Sequence, residues 1–267
     1  MTRRLAVVGP GNMATAVVRG LLASKWTTKD KVAGYHPRRD RAAAIAKQAG
    51  FQVGSDLGKA LAGADVVLLG VKPQILPEVL PRIATELDGH PLVVSMAAGF
   101  ATARIEAALP GLPVVRTMPN LACTVGLGAT AMSPGAHATR EHLALARSVF
   151  EAVGVVEEVP EKLMDAVTGL SGTGPMYVFH LVEGLADAGV KVGLSRDVAS
   201  RLAVQTVIGS ARLAQDSHLH PAALKDQVTS PGGTAIAALH VLRREGFQAI
   251  LMDAVEAAAR RSAELGA

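Results

Sequence analysis

A single cysteine, Cys123, stands among 267 residues. No internal disulfide can form, and a reducing compartment, the cytoplasm, is the expected setting. Aromatic residues make up only 3% of the chain. A core must therefore be built from Ala, Val, Leu and Ile, and the stacked rings that grip single-stranded nucleic acid are missing. No uncharged apolar run reaches membrane-spanning length without Gly or Pro, and Leu5–Val8 after Arg3 and Arg4 read as a strand rather than a secretory signal. Long basic runs are missing as well: the densest cluster is Arg38-Arg39-Asp40-Arg41, with no aromatic side chains interleaved. The net charge of +4 thus suits small anionic ligands, and neither a nucleic acid nor a membrane is expected as a partner. His218 and His220 alternate without a further ligand cluster, which reads as a solvated loop, so no metal site is expected. What remains is ample apolar material, 49% of the chain, and a length comfortable for two domains.

The segment Arg4 to Gly20 is an apolar strand that breaks into a glycine turn and continues with a helical pattern. Its turn, Gly9-Pro10-Gly11-Asn12-Met13-Ala14, is a dinucleotide fingerprint in the context that confirms one. Gly9 makes the turn, Gly11 lets the backbone approach a pyrophosphate, and Ala14 keeps the helix close to the strand. The next strand ends at Tyr35-His36-Pro37-Arg38-Arg39, where an NAD-preferring fold offers Asp or Glu to the ribose 2′-hydroxyl. With no carboxylate there and two guanidinium groups at hand, NADPH is the expected cofactor and NADH the alternative. Arg38 and Arg39 could otherwise simply open a solvated helix.

Strands and helices then alternate at short intervals, the pattern of a parallel sheet covered on both faces. Ala64–Val71 is apolar throughout, as a doubly covered strand should be, and ends in Lys72-Pro73-Gln74. Pro91–Gly99, ending in Ala97-Ala98-Gly99, and Val114–Asn120 repeat the arrangement, so three strand ends converge where open α/β sheets bind ligands. Val71, Lys72, Pro73, Ala97, Ala98 and Asn120 are accordingly candidate cofactor contacts. Past residue 160 strand-like runs stop. Helical patterns cover 161–170, 175–192, 195–216, 222–228 and 235–265, the last interrupted near Glu245-Gly246. The expected fold is an α/β Rossmann-type domain with a parallel-rich sheet over 1–160, followed by an all-α dimerisation and substrate-binding domain over 161–267. Several helices are apolar around much of their circumference, for example Leu202–Gly209, so a second subunit is expected to cover them.

The stretch Val228-Thr229-Ser230-Pro231-Gly232-Gly233-Thr234-Ala235-Ile236 sets three small hydroxyl residues and two adjacent glycines before a helical pattern. Free backbone N–H groups at a positively polarised helix start would hold a carboxylate. An ordinary N-cap preceded by a loop is the other reading.

Taken together, Gly9–Ala14, Val71–Gln74, Arg116–Asn120, Asp165–Pro175 and His220–Thr234 resemble the pyrroline-5-carboxylate reductases, in the same order across essentially the whole chain. The resemblance implies hydride transfer from NAD(P)H to the C=N bond of 1-pyrroline-5-carboxylate, the last step of proline synthesis. It also implies a helical domain that interlocks with its twofold mate, with larger assemblies of dimers in some members. The substrate carboxylate would be held by the Ser230–Thr234 loop, with Val228 and Thr229 beside it. Glu161 would lie near the substrate, or serve only as a first-turn acid on its helix. Gln227 would approach the cofactor. Lys225 and Asp226 read as a local pair that holds the following loop.

The chain departs from the family pattern at Ala235, where members usually carry a second Thr near the substrate nitrogen, so Thr234 or water would have to supply the proton. Leu121-Ala122 replaces a usual Thr-Pro, Met176 a smaller Ala, and Leu57 an Asn toward the cofactor. These changes raise a related cyclic imine carboxylate, such as a six-membered homologue, as the alternative substrate.

Overall fold

The computed structural model describes residues 2–266. β1 (Leu5–Val8) leads into α1 (Asn12–Ala23), β2 (Val32–Tyr35) into α2 (Arg39–Ala49), and β3 (Gln52–Gly54) into α3 (Leu57–Leu61). β4 (Val66–Leu69), α4 (Leu76–Glu86), β5 (Leu92–Ser95), α5 (Thr102–Ala108) and β6 (Val114–Met118) continue the alternation. β7 (Gly128–Pro134), α6 (Arg140–Glu151) and β8 (Gly154–Glu158) complete one sheet, which among the described residues has eight strands in the order β3-β2-β1-β4-β5-β6-β7-β8. Every neighbouring pair is parallel except β6 and β7, which run antiparallel from Val115↔Pro134 to Met118↔Ala131. The parallel-rich Rossmann-type sheet read from the sequence is therefore present.

Alternation along β1 shows how the sheet is covered. Leu5 and Val7 face a core with Val17, Val18 and Leu21 of α1 and Val149 and Phe150 of α6. Ala6 and Val8 face the opposite core with Leu57 and Leu61 of α3, Leu80 and Ile83 of α4, and Ile105 of α5. With period two and both faces buried, the strand has to be apolar at every position. Leu57, which stands where the resemblance leads one to look for an Asn toward the cofactor, is the first residue of α3 and is buried in this second core.

By contacts the chain divides into two compact units. The first holds the described residues up to Thr173 together with those from Glu256 on; the second is Gly174–Val255. The helical region that begins at residue 161 thus contributes its opening stretch to the first unit. α7 (Met164–Val167) buries Met164, and a π-helical turn at Thr168–Gly172 follows, closed by Thr173 N donating to the carbonyl of Thr168 at 2.8 Å. The end of α12 (Phe247–Gly266) is tied back to α7 by Ser262 Oγ donating to Asp165 Oδ1 at 2.7 Å.

The second unit is helical: α8 (Gly174–Lys191), α9 (Arg196–Ser217), α10 (Pro221–Gln227), α11 (Thr234–Arg244) and the first half of α12. Gly189 of α8 lets the pair close, since a Cβ there would lie 2.9 Å from that of Ala199 on α9. Among its described side chains only Ala186, Ala199 and Ala203 are buried, while Phe179 is 60%, Ile208 56% and Met252 72% exposed. Apolar faces of that extent within one copy of the chain call for a partner surface.

The edge strand β8 depends on Gly154. Its φ is +153°, and a Cβ would lie 2.5 Å from Gly128 N on β7. Gly154→Ala is expected to lower the unfolding free energy by about 2 kcal/mol or more, the scale of overpacking with no room to relax. Chemical denaturation measures it, and an unchanged midpoint would refute the steric reading.

Candidate cofactor pocket and carboxylate loop

Within the first unit, the turn after β1 is shaped by close backbone approach. Gly9 has φ +80°, and a Cβ there would overlap Val71 Cγ1 and lie 2.9 Å from Val71 N. Gly70 is equally constrained, its Cβ position lying 2.6 Å from Gly9 O and 2.9 Å from Ala14 Cβ. Ala14 is buried and Met13 packs against the core, so these two shape the turn from behind. At Gly11 the situation reverses: a Cβ there would meet nothing within 4 Å. Gly11 is also the N-cap of α1 and no side chain caps the helix. The open space therefore faces the free N–H groups of a twelve-residue helix, which is where a pyrophosphate fits.

Gly9, Gly11, His36, Pro37, Val71 and Lys72 line one pocket of about 510 Å³. Asn12, beside Gly11 and His36, lines an adjoining groove of about 890 Å³ that also carries Arg19 and Arg41. Pro73 opens the 3-10 turn after Lys72, and Ala97, Ala98 and Asn120 follow the carboxyl ends of β5 and β6. Arg38 is exposed as the N-cap residue of α2, its N–H donating to His36 Nδ1 at 3.2 Å, and neither it nor Arg39 is part of the pocket lining. The guanidinium that does line the pocket belongs to Arg82 on α4. Sequence reasoning missed it because its only signal is a place one helical turn after Glu78, which follows from α4 rather than from any motif.

Two candidate residues are engaged in holding the framework. Asn120 Oδ1 accepts from Ala122 N and Ala129 N, each at 3.2 Å, and its Nδ2 donates to the carbonyl of Ser171 at 3.0 Å. The side chain thereby pins the end of β6 to the π turn, against which Met118 packs so closely that a Cβ at Gly172 would overlap its Cε. Glu161 accepts from Thr102 N at 2.8 Å and from Thr102 Oγ1 at 2.6 Å, and lies 3.3 Å from Arg116 Nη1. It caps the start of α5 and neutralises an arginine whose side chain is only 7% exposed. Cys123 is buried, which pushes its thiol above the usual range and disfavours the reactive thiolate.

The candidate carboxylate loop lies in the second unit. α10 ends at Gln227, and Thr229 turns the chain by donating its hydroxyl to the carbonyl of Lys225 at 2.7 Å and its N–H to that of Asp226 at 3.1 Å. Lys225 Nζ and Asp226 Oδ1 pair at 3.3 Å, as read from the sequence, although main-chain groups of both residues are what hold the turn. Val228 is exposed, Gly232 has φ +66°, and Gly233 N donates to the carbonyl of Ser230 at 3.1 Å. A Cβ on Gly233 would overlap Ser230 Oγ. Gly233 is the N-cap of α11 and no side chain caps it, so the N–H groups of Thr234, Ala235 and Ile236 point out of the helix start. His220 caps α10, its Nδ1 accepting from Ala222 N at 3.2 Å, and no cluster of metal-binding side chains occurs among the described residues.

Comparison with known proteins decides the family. A model of pyrroline-5-carboxylate reductase dimerisation matches residues 161–265, and one of coenzyme F420-dependent NADP oxidoreductases matches residues 4–99. A pyrroline-5-carboxylate reductase of Synechocystis is 44% identical over 100% of this chain and 99% of its own. The chain belongs to the pyrroline-5-carboxylate reductase family. The solved reductase of Coxiella burnetii superposes with a TM-score of 0.92 at 32% identity, covering 100% of both chains. That of Plasmodium falciparum, solved with NADP bound, gives 0.88 at 30% identity over 99% of this chain and 98% of its own. No described helix is long and apolar enough to cross a membrane.

Removing the Glu161 carboxylate leaves Arg116 buried without its counter-charge. Glu161→Ala is expected to cost about 3 kcal/mol, the lower bound for breaking a buried pair, because Glu161 is itself partly exposed. Glu161→Gln, which keeps an acceptor for Thr102, should cost less. Urea midpoints of the two variants measure this, and equal midpoints with wild type would show that the pair contributes nothing.

Proposed function

We propose that this member of the pyrroline-5-carboxylate reductase family reduces 1-pyrroline-5-carboxylate to L-proline with NADPH, acting as a homodimer. The observation that carries the reading is the uncapped start of α11, where the closely packed Ser230–Gly233 turn presents consecutive main-chain N–H groups to a carboxylate. NADPH is favoured over NADH because β2 ends in Tyr35-His36-Pro37 with no carboxylate for a ribose 2′-hydroxyl. The pairing of subunits is supported by the apolar faces of α8, α9 and α12, left exposed in one copy of a region that matches a dimerisation model.

When bound, the reduced nicotinamide supplies a hydride to the imine carbon, and the ring nitrogen takes up a proton. The protein's residues have correspondingly little covalent work. Gly11 and the start of α1 would hold the pyrophosphate, Lys72 borders the same pocket with Pro73 next to it in the chain, and Ser230 to Thr234 would fix the acid group, so the reaction is accelerated chiefly by positioning. Thr234, the first residue of α11 and exposed, is the hydroxyl we assign to donate toward the substrate nitrogen, directly or through water. Glu161 and Asn120 act by tying the start of α5 and the β6 region to the 161–172 segment. Gln227 closes α10 ahead of the loop.

Oxidation of NADPH by the purified protein with 1-pyrroline-5-carboxylate, beside its six-membered homologue, is the deciding assay. Turnover of the five-membered ring with proline as product is expected, and turnover of the larger ring alone would overturn the assignment. Ala235→Thr, which restores a hydroxyl to the second position of α11, is expected to raise kcat. An unchanged or lower kcat would show that protonation is not what limits the wild type.

A further inference from the structure

The end of the second strand is where a dinucleotide fold tells its cofactors apart. A carboxylate there accepts from the ribose 2′-hydroxyl, whereas a guanidinium nearby receives a 2′-phosphate. Here β2 ends at Tyr35, and the two arginines that follow in sequence lie outside the pocket lining. What reaches that place comes from a different element. Arg82 Nη1 donates to Tyr35 Oη at 2.8 Å, and its guanidinium carbon lies 5.6 Å from the centroid of the tyrosine ring. Glu86, one turn further along α4, pairs with Arg82 Nη2 at 3.6 Å from the other side. Tyr35 is buried to 2% exposure, so its hydroxyl is a fixed peg rather than a mobile partner. A long, rotamer-rich side chain is thereby held in the pocket wall in advance, and its ordering need not be met on binding.

Sheet order separates this cation from the other one in the pocket. Lys72 follows β4, which lies on the opposite side of β1 from β2. It therefore belongs over the β1–α1 turn and the pyrophosphate, whereas Arg82 is bonded to the strand end that adjoins the ribose. Nη1 gives one N–H to Tyr35 and Nη2 faces Glu86 at 3.6 Å, so Nε and the remaining N–H groups of this half-exposed guanidinium are the donors that a phosphate would take.

We propose that Arg82, positioned by Tyr35, recognises the 2′-phosphate on the adenosine of the cofactor and sets the preference for the phosphorylated dinucleotide. The inference rests on the dinucleotide-binding reading above and assigns its selectivity to a residue outside the fingerprint.

Isothermal titration of the full chain with 2′,5′-ADP and 5′-AMP, which differ only in the 2′-phosphate, tests it without requiring turnover; NADPH and NADH are titrated alongside. Wild type is expected to bind 2′,5′-ADP at least about tenfold more tightly than 5′-AMP, the size of one charge-assisted hydrogen bond. Arg82→Leu should abolish that ratio while leaving 5′-AMP affinity in place, Tyr35→Phe should reduce it, and Arg82→Lys should retain part of it. A ratio unchanged in Arg82→Leu overturns the proposal. So does an equal loss of both ligands, which would mark stacking on the adenine instead. If wild type binds all four ligands without preference, the assignment of Arg82 fails while dinucleotide binding stands; if it binds none, the dinucleotide reading fails with it. Should Arg82→Leu not fold by circular dichroism, the ratios in Arg82→Lys and Tyr35→Phe decide the matter.

Discussion

The contact between Gly9 and the backbone of Val71 is the constraint from which the cofactor side of the molecule follows. A turn at φ +80° with no room for a Cβ lets β1 end directly against the segment leaving β4. Gly70 and Ala14 then close the space behind it, so α1 starts at a fixed height above the sheet. Gly11, one step further, has nothing near its missing side chain, and the uncapped N–H groups of α1 are left open beside it. Tightness at Gly9 and vacancy at Gly11 are two consequences of one path of the main chain. The path is in turn anchored by β1 lying between β2 and β4, with alternate residues buried in two separate cores.

Much of this was legible in the sequence because each feature has a local signature. The fingerprint glycines, the apolar strands β1, β2, β4, β5 and β6, and the helices from α8 to α12 announce themselves by spacing and periodicity, and the break at Glu245-Gly246 falls where α11 gives way to α12. The strands β3, β7 and β8 do not. Gln52–Gly54 is three residues long, Gly128–Pro134 is built of Gly, Ala, Thr, Met, Ser and Pro, and β8 ends in two glutamates. Their strand character comes from partners across the sheet, a tertiary effect that propensity does not carry. The helical run from residue 161 was legible as helix, but its attachment to the first unit was not, since it depends on Glu161 meeting Thr102 and Arg116, and on Asn120 meeting Ser171. Arg82 lies beyond sequence reading for the same reason.

Scarcity of aromatic side chains shapes both units in different ways. In the first, the cores on the two faces of the sheet are built mostly of Val, Leu and Ala around a few rings, Phe51 and Phe150 on one face and Phe100 on the other, and one of the chain's two tyrosines holds an arginine. In the second, α8 and α9 approach through Gly189 and the alanines Ala186, Ala199 and Ala203, residues that allow close packing but bury little area. A helix pair assembled on such small contacts gains little stability by itself. The larger side chains on the same helices stay exposed, so the burial that would make this unit stable calls for a partner surface, in a region that matches a dimerisation model.

Main-chain recognition also explains how the Ser230–Thr234 loop can tolerate a family position changed to Ala235. The N–H of the second residue of α11 is present whatever its side chain, and the packing of Gly233 on Ser230 that aims the turn does not involve residue 235. The anion binding proposed at this helix start would therefore be insensitive to the exchange. A hydroxyl at the same position would act on a different atom and at a different moment, stabilising the developing N–H of the reduced ring rather than the carboxylate of the bound imine. Groups that bind ground state and transition state alike lower KM, whereas those engaged only as the proton moves raise kcat. On the proposed reading the two duties would rest on different atoms of neighbouring residues, so the second could change while the first stays intact.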